Sequence, residues 1–158
     1  YLPLSPTQVN VIQDTWEIMK TLPAEAVGVL LFKNTFELAG PAAEDLSKLF
    51  PFSKEKGFSV KKLDDSPGLK KHGKNVVDTV TAAISLLTKL DELVPILKDL
   101  GKRHVGYGVA KAHYPVVGGA LLATLEQGLP KEKWTAEAKA AYTKMWGVIE
   151  EVMTVDNY

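Results

Sequence analysis

Apolar residues recur along this chain at spacings of three and four, in runs that open on capping residues and close on glycine and proline. That spacing lines up one face of a helix of 3.6 residues per turn, whereas a half-buried strand alternates every second residue. Ser5-Pro6-Thr7-Gln8 offers an N-cap, a proline at the first helical position and a glutamine placed to complete a capping box. A helix is expected there, with Val9, Ile12, Trp16 and Met19 on one stripe. Thr21-Leu22-Pro23 interrupts, and a second series (Val27, Leu30, Leu31, Phe36, with Phe32 on an adjoining face) runs to the Gly40-Pro41 stop. Pro41 to Phe50 reads as a short helix with Leu46, Leu49 and Phe50 inward, halted by Pro51. From Phe52 to Asp65 the chain is charged and less periodic, which predicts a loop with one helical turn.

Ser66-Pro67 repeats the cap-plus-proline signal, and the helix after it aligns His72, Val76, Val80, Ala83 and Leu87. Another begins near Asp91-Glu92, whose carboxylates suit a helix N-terminus, and carries Leu93, Leu97, Leu100 and His104 to a stop at Gly106 and Gly108. From about Ala112 a helix aligns Tyr114, Val117, Leu121 and Leu125 before Gly128 and Pro130. Thr135 caps a last helix with Ala138, Ala141, Met145, Ile149 and Val152 inward, flanked by Tyr142 and Trp146. With no hairpin signal, the expectation is an all-α domain of about seven to eight helices spanning residues 1–158, without linker or repeat.

Composition narrows the chemistry. A chain of 158 residues can bury a core without staples. Nineteen basic against nineteen acidic side chains leave no net charge, so no global field draws nucleic acid, and no stretch is long enough for a membrane span. Without cysteine there is no disulfide, no thiolate nucleophile, no Cys-ligated zinc and no protein-ligated iron–sulfur cluster. That is compatible with a reducing, cytoplasmic setting. Nothing at the start reads as a signal peptide, and Tyr1 in place of Met suggests processing or excision from a longer chain. Gly106-Tyr107-Gly108 lacks the third glycine and preceding strand of a nucleotide loop; serine elbow, helical two-histidine zinc motif and calcium loop are also missing.

What remains is two histidines on apolar stripes of separate helices. His72 sits four residues before Val76, and His104 four after Leu100. Each has a plain structural account. His104 beside Lys102 and Arg103 suits a helix C-terminus, and His72 among lysines suits solvent. Together, with bulky apolar neighbours and no carboxylate partner, they fit a flat apolar metal-containing cofactor held between two helices better than bare zinc. His113, at a helix start, reads as a cap or packing residue.

Trp16, Leu49-Phe50-Pro51-Phe52, Leu69-Lys70-Lys71-His72-Gly73-Lys74, Leu100-Gly101-Lys102-Arg103-His104 and His113-Tyr114-Pro115-Val116-Val117-Gly118 follow one another in the order of globin motifs. Over nearly its whole length the chain resembles a globin, most of all single-domain globins of the neuroglobin and flavohaemoglobin-like branch. The resemblance implies haem b, with His104 as proximal iron ligand and His72 as distal histidine. Val76 lies one turn beyond His72, Phe50 wedges against the porphyrin, and Phe32 forms the distal back wall. The Phe32 to Phe50 spacing exceeds the family pattern by about one helical turn between Gly40 and Leu46. Leu100, Val109, Tyr114 and Val117 are implied to line the proximal and inner side. Plain core packing explains Phe32, Phe36, Phe50 and Val76 equally well.

The implied function is reversible binding of O₂, CO or NO, as in oxygen transport. His72 either donates a hydrogen bond to the ligand or closes the sixth site as a bis-histidyl, hexacoordinate resting state. Departures from the family bear on the alternatives. Phe32 and His72 stand where flavohaemoglobins set a tyrosine and a glutamine, and Val155 stands where they set a glutamate behind the proximal histidine. No reductase domain follows in the sequence, so NO dioxygenation or nitrite reduction would need an external reductase. A haem-based redox or gas sensor is the third alternative. Nothing in the sequence speaks to oligomeric state.

Overall fold

A computed structural model describes residues 3–158; the readings made on Tyr1 lie outside the described residues. Among these residues there is no strand, and the helices are α1 (Pro6–Met19), α2 (Ala24–Ala39), α3 (Ala43–Ser47), α4 (Pro67–Ser85), α5 (Leu90–Gly106), α6 (His113–Gly128) and α7 (Ala136–Thr154). Short 3₁₀ turns occupy Gly40–Ala42, Pro51–Lys54, Leu63–Asp65 and Lys131–Lys133. The stretch read as loop therefore holds two turns rather than one. None of the described helices is long and apolar enough to cross a membrane.

The capping signals act as read. The Ser5 hydroxyl accepts from the Gln8 amide at 3.1 Å and the Gln8 side chain accepts from the Ser5 amide at 2.9 Å, which closes the capping box. Ser66 and Thr135 accept in the same way from Leu69 and Ala138, each three residues on. Val9, Ile12, Trp16 and Met19 are all buried on α1. Tyr142, expected beside the stripe of α7, is instead completely buried. The α1 backbone makes this tolerable: the Tyr142 hydroxyl donates to the Ile12 carbonyl at 3.0 Å and pairs with the Thr15 hydroxyl at 2.7 Å.

Helix α4 is rotated by about one residue from the expected stripe. Its deepest residues are Leu69, Gly73, Val77, Ala83 and Ile84, while His72, Val76 and Val80 are half-buried. The cause is a backbone contact with α2. A Cβ on Gly28 would lie 2.2 Å from the Gly73 carbonyl carbon, so the two helices cross at a distance open only to glycine. Beyond the crossing, Val29, Phe32, Phe36, Leu46, Phe52, Leu63 and Leu69 form one apolar cluster, and α1, α6 and α7 with parts of the other helices form the larger one. Val76 packs against both.

Helix α5 is held from behind by α7. A Cβ on Gly101 would meet the Met153 carbonyl at 2.1 Å, and Lys98 pairs with Asp156 at 3.3 Å. The Tyr158 hydroxyl donates to the Val109 carbonyl and ties the end of the chain to the α5–α6 corner.

Gly28→Ala should lower the unfolding free energy by about 1–3 kcal/mol or more, because the added methyl must force α2 and α4 apart. Gly147→Ala, where the added methyl meets nothing within 4 Å, should be neutral or stabilise by up to about 1 kcal/mol. Urea denaturation of the two variants checks both.

Candidate functional site

Helix α4 carries His72 and helix α5 carries His104, both half-buried and close enough for the charge of His104 to act on His72. The His72 ring is surrounded by phenylalanines, with centroid distances of 5.4 Å to Phe32, 5.4 Å to Phe50 and 5.8 Å to Phe52. Neither of its nitrogens has a hydrogen-bond partner among the described residues. Phe50 and Phe52 lie stacked at 5.1 Å and 10°, and Phe32 meets Phe50 edge-on at 5.3 Å. The Gly40–Ala42 turn and α3 lie between Phe32 and Phe50 in the chain, and the two rings meet.

His104 makes one protein contact through its ring nitrogens: Nδ1 lies 2.8 Å from the Leu100 carbonyl oxygen. A carbonyl only accepts, so Nδ1 carries the proton and Nε2 keeps a free lone pair. Tyr107 and Tyr114 flank the ring at 5.8 Å and 6.3 Å. Burial lowers the pKa of both histidines. For His72 the charge that His104 would carry lowers it further. For His104 the Leu100 carbonyl pulls the other way and Arg103 adds to the lowering. Each imidazole is therefore favoured in its neutral, electron-pair-donating form.

Among the described residues no group of three or more His, Asp or Glu could hold a metal ion by itself. Two neutral imidazoles suit a metal that brings its remaining ligands in a flat ring, and the phenylalanine faces beside His72 suit that ring's apolar surface. The Tyr114 hydroxyl is buried beside the Tyr158 side chain, and burial, then that neighbour, push its pKa up to about 12.

The remaining expected residues lie on or next to α5 and α6. Leu100 and Val109 are half-buried against the larger cluster; the Val109 amide donates to the His104 carbonyl at 3.1 Å. Val117 is half-buried one turn after Tyr114, while its neighbour Val116 packs against the Phe32 cluster. Sequence reasoning missed the role of Phe52, although alternation across Pro51 put it in reach of His72. It also missed Trp146, whose indole donates to the Tyr114 carbonyl at 2.9 Å over Gly118. His113 accepts from the Ala110 amide at 2.9 Å in the turn before α6 and does not cap that helix.

The family model for Globin matches residues 33–153. The chain is a globin. It is 31% identical over 153 residues to an anaerobic nitrite reductase of Gossypium hirsutum, covering 94% of this chain and 91% of that one. A protein of the same name from Casuarina glauca is 34% identical over 138 residues, 85% of this chain and 81% of its own. Neuroglobin of Danio rerio is 31% identical over 151 residues, 96% and 91%. As a globin the chain binds haem, and diatomic gases are its ligands.

The neutral histidines make the haem-free globin sensitive to acid. The unfolded chain takes up protons on histidine near 6.5, whereas the folded chain holds His72 and His104 neutral to lower pH. Stability is thus fully present above 6.5 and is lost as pH falls from there through the lower folded values. The unfolding free energy of the haem-free protein in urea should be flat above about pH 7 and decline below 6.5, and His72→Phe should make that decline shallower.

Proposed function

We propose that this globin binds haem b with His104 Nε2 as the fifth ligand of the iron and His72 at the sixth position, and that reversible binding of O₂, CO or NO is its primary activity. The carrying observation is the pair of half-buried, neutral imidazoles on α4 and α5, each with a nitrogen uncommitted to the protein. Bound haem supplies an iron that takes diatomic ligands and exchanges one electron. The protein supplies the rest. The Leu100 carbonyl holds the His104 tautomer and ring orientation, as a partner to the outer nitrogen does for ligating histidines in general. Phe32, Phe50 and Val76 keep the His72 side apolar and exclude water, and Leu100, Val109, Tyr114 and Val117 line the His104 side. Without cysteine no thioether can form, which favours haem held non-covalently.

His72 has two roles open to it. With no protein partner and three phenylalanine neighbours, its imidazole is free to close the sixth position at rest. Once displaced, it can donate a hydrogen bond to the incoming ligand. The whole chain acts as one globin domain, since α1 outside the family match packs on α7 through Thr15 and Tyr142. A cytoplasmic setting agrees with the missing cysteines.

Nitrite reduction is the second activity, favoured by the names of the relatives from Gossypium hirsutum and Casuarina glauca. Nitrite takes one electron and two protons to become NO and water, so each turnover needs one electron from a reductant.

His104→Ala should abolish stoichiometric haem retention, or leave haem whose spectrum added imidazole restores; unchanged affinity and spectrum would reject the ligand assignment. In His72→Leu the reduced, ligand-free spectrum should change from six- to five-coordinate. CO should bind faster and tighter, by about 100-fold if the parent site is open about 1% of the time. An unaltered five-coordinate spectrum would reject the closed resting state.

A further inference from the structure

The zero net charge of the chain hides a strong local imbalance. Residues 48–74 contain eight lysines and three acids, a net of +5, which leaves −5 on the remainder. Of the three acids already counted in that net, only Asp65 is exposed without a partner among the described residues. Glu55 is turned inward, accepting from the Ser66 hydroxyl at 3.1 Å and the Gly68 amide at 2.8 Å. Asp64 is taken by Lys33 from α2 at 2.8 Å. Lys48 and Lys74 pair with Asp45 and Asp78, but Lys54, Lys56, Lys61, Lys62, Lys70 and Lys71 have no ion-pair partner among the described residues.

The same segment forms one wall of the site. Its inner side presents Phe50 and Phe52 to His72, with Phe58 behind Phe52 at 5.6 Å, while Lys54, Lys56, Lys61 and Lys62 are exposed on its outer side. Lys70 and Lys71 directly precede His72. Lys70 also lines a groove of about 630 Å³ between α2 and the start of α4, where Lys33 and Lys70 are balanced by Glu25 and Asp64, so the cationic excess lies on the outer lysines rather than in the groove. Its apolar floor, Val29, belongs to the cluster that holds Phe32.

We propose that this lysine face steers small inorganic anions, nitrite first among them, to the His72 side of the site. Unpaired cations over a low-dielectric wall concentrate an anion locally and raise its encounter rate, while a neutral diatomic gas feels no such pull. The face is poorly suited to gripping a protein. None of the large exposed apolar side chains (Leu22, Leu38, Ile96, Val105, Tyr107, Val155 and Tyr158) lies within residues 48–74, so the aromatic and aliphatic anchors of a stable interface are missing there. The field makes the site selective by ligand charge, a property that the haem ligands alone do not confer. This inference rests on the haem assignment made above.

The test reverses the charge of four exposed lysines outside the ligand set, in Lys54→Glu/Lys56→Glu/Lys61→Glu/Lys62→Glu. In the ferric holoprotein, association of nitrite and azide is compared with that of neutral imidazole, which shares any step in which His72 must leave. At about 10 mM ionic strength the anion-to-imidazole rate ratio should fall on the order of tenfold in the variant, and parent and variant should converge above about 0.5 M salt. CO association to the ferrous form should stay within about twofold. Independently of any reaction at iron, an anionic soluble nitroxide should relax the amide protons of residues 54–74 more than a cationic one does in the CO-bound parent, with the order reversed in the variant.

A ratio unmoved by charge reversal or salt overturns the proposal, as does equal relaxation by the two nitroxides. So does a variant whose anion rates hold while its reduction by an acidic electron-transfer protein collapses, which would give the face to a protein partner. A parent that takes up no haem defeats the haem assignment instead, and the nitroxide map of the haem-free chain still reports the field.

Discussion

The contact between Gly28 and Gly73 sets the position of nearly everything at the site. It lets the backbones of α2 and α4 touch, and so fixes the height at which Phe32 stands beside His72. Side chains at the crossing would hold the helices the usual 8–10 Å apart. The rings of Phe32, Phe50 and Phe52 could not then close around one imidazole. The rotation of α4 that leaves His72 half-buried follows from the same contact, because the glycine face, not the histidine face, is the one driven deepest.

On the other side, α5 is held by a set of unlike contacts. Gly101 lies against the Met153 carbonyl, Lys98 pairs with Asp156, and the α5–α6 corner is tied down by Tyr158. Trp146 holds the Tyr114 backbone and so places that ring beside His104. Loss of any one would leave His104 on a helix free to shift relative to His72. Both histidines are favoured neutral for like reasons: burial penalises the charged form, neither has a carboxylate to support a proton, and each has a cationic neighbour, His104 for His72 and Arg103 for His104. A pair of that kind is poor at stabilising a fold and well suited to donating lone pairs.

Charge is distributed to match. The wall that is aromatic toward His72 is lysine-rich toward solvent, so the residues that keep water from the imidazole and those that set the outer field belong to one stretch of chain. The acidic balance lies on other elements, with Glu137, Glu150 and Glu151 on α7 and Asp14 and Glu17 on α1. A formal charge of zero is thus a sum over unlike stretches of the chain.

The sequence by itself determined the long helices and their starts, because caps, prolines and three-four periodicity act within a few residues and need no tertiary partner, whereas the expected helix from Pro41 to Phe50 is α-helical only over Ala43–Ser47. It also marked His72 and His104 as the residues with chemistry to offer, and the order of motifs around them pointed to the globin family. Only the tertiary structure decided which face of α4 goes deepest, that Tyr142 is a core residue with its hydroxyl paired to α1, and that Phe52 and Trp146 support the site. Those outcomes depend on close approaches between residues distant in sequence, such as Gly28 with Gly73 and Gly118 with Trp146. A glycine in a helix carries no local sign of the neighbour it admits, and a buried phenylalanine carries none of the ring it will touch.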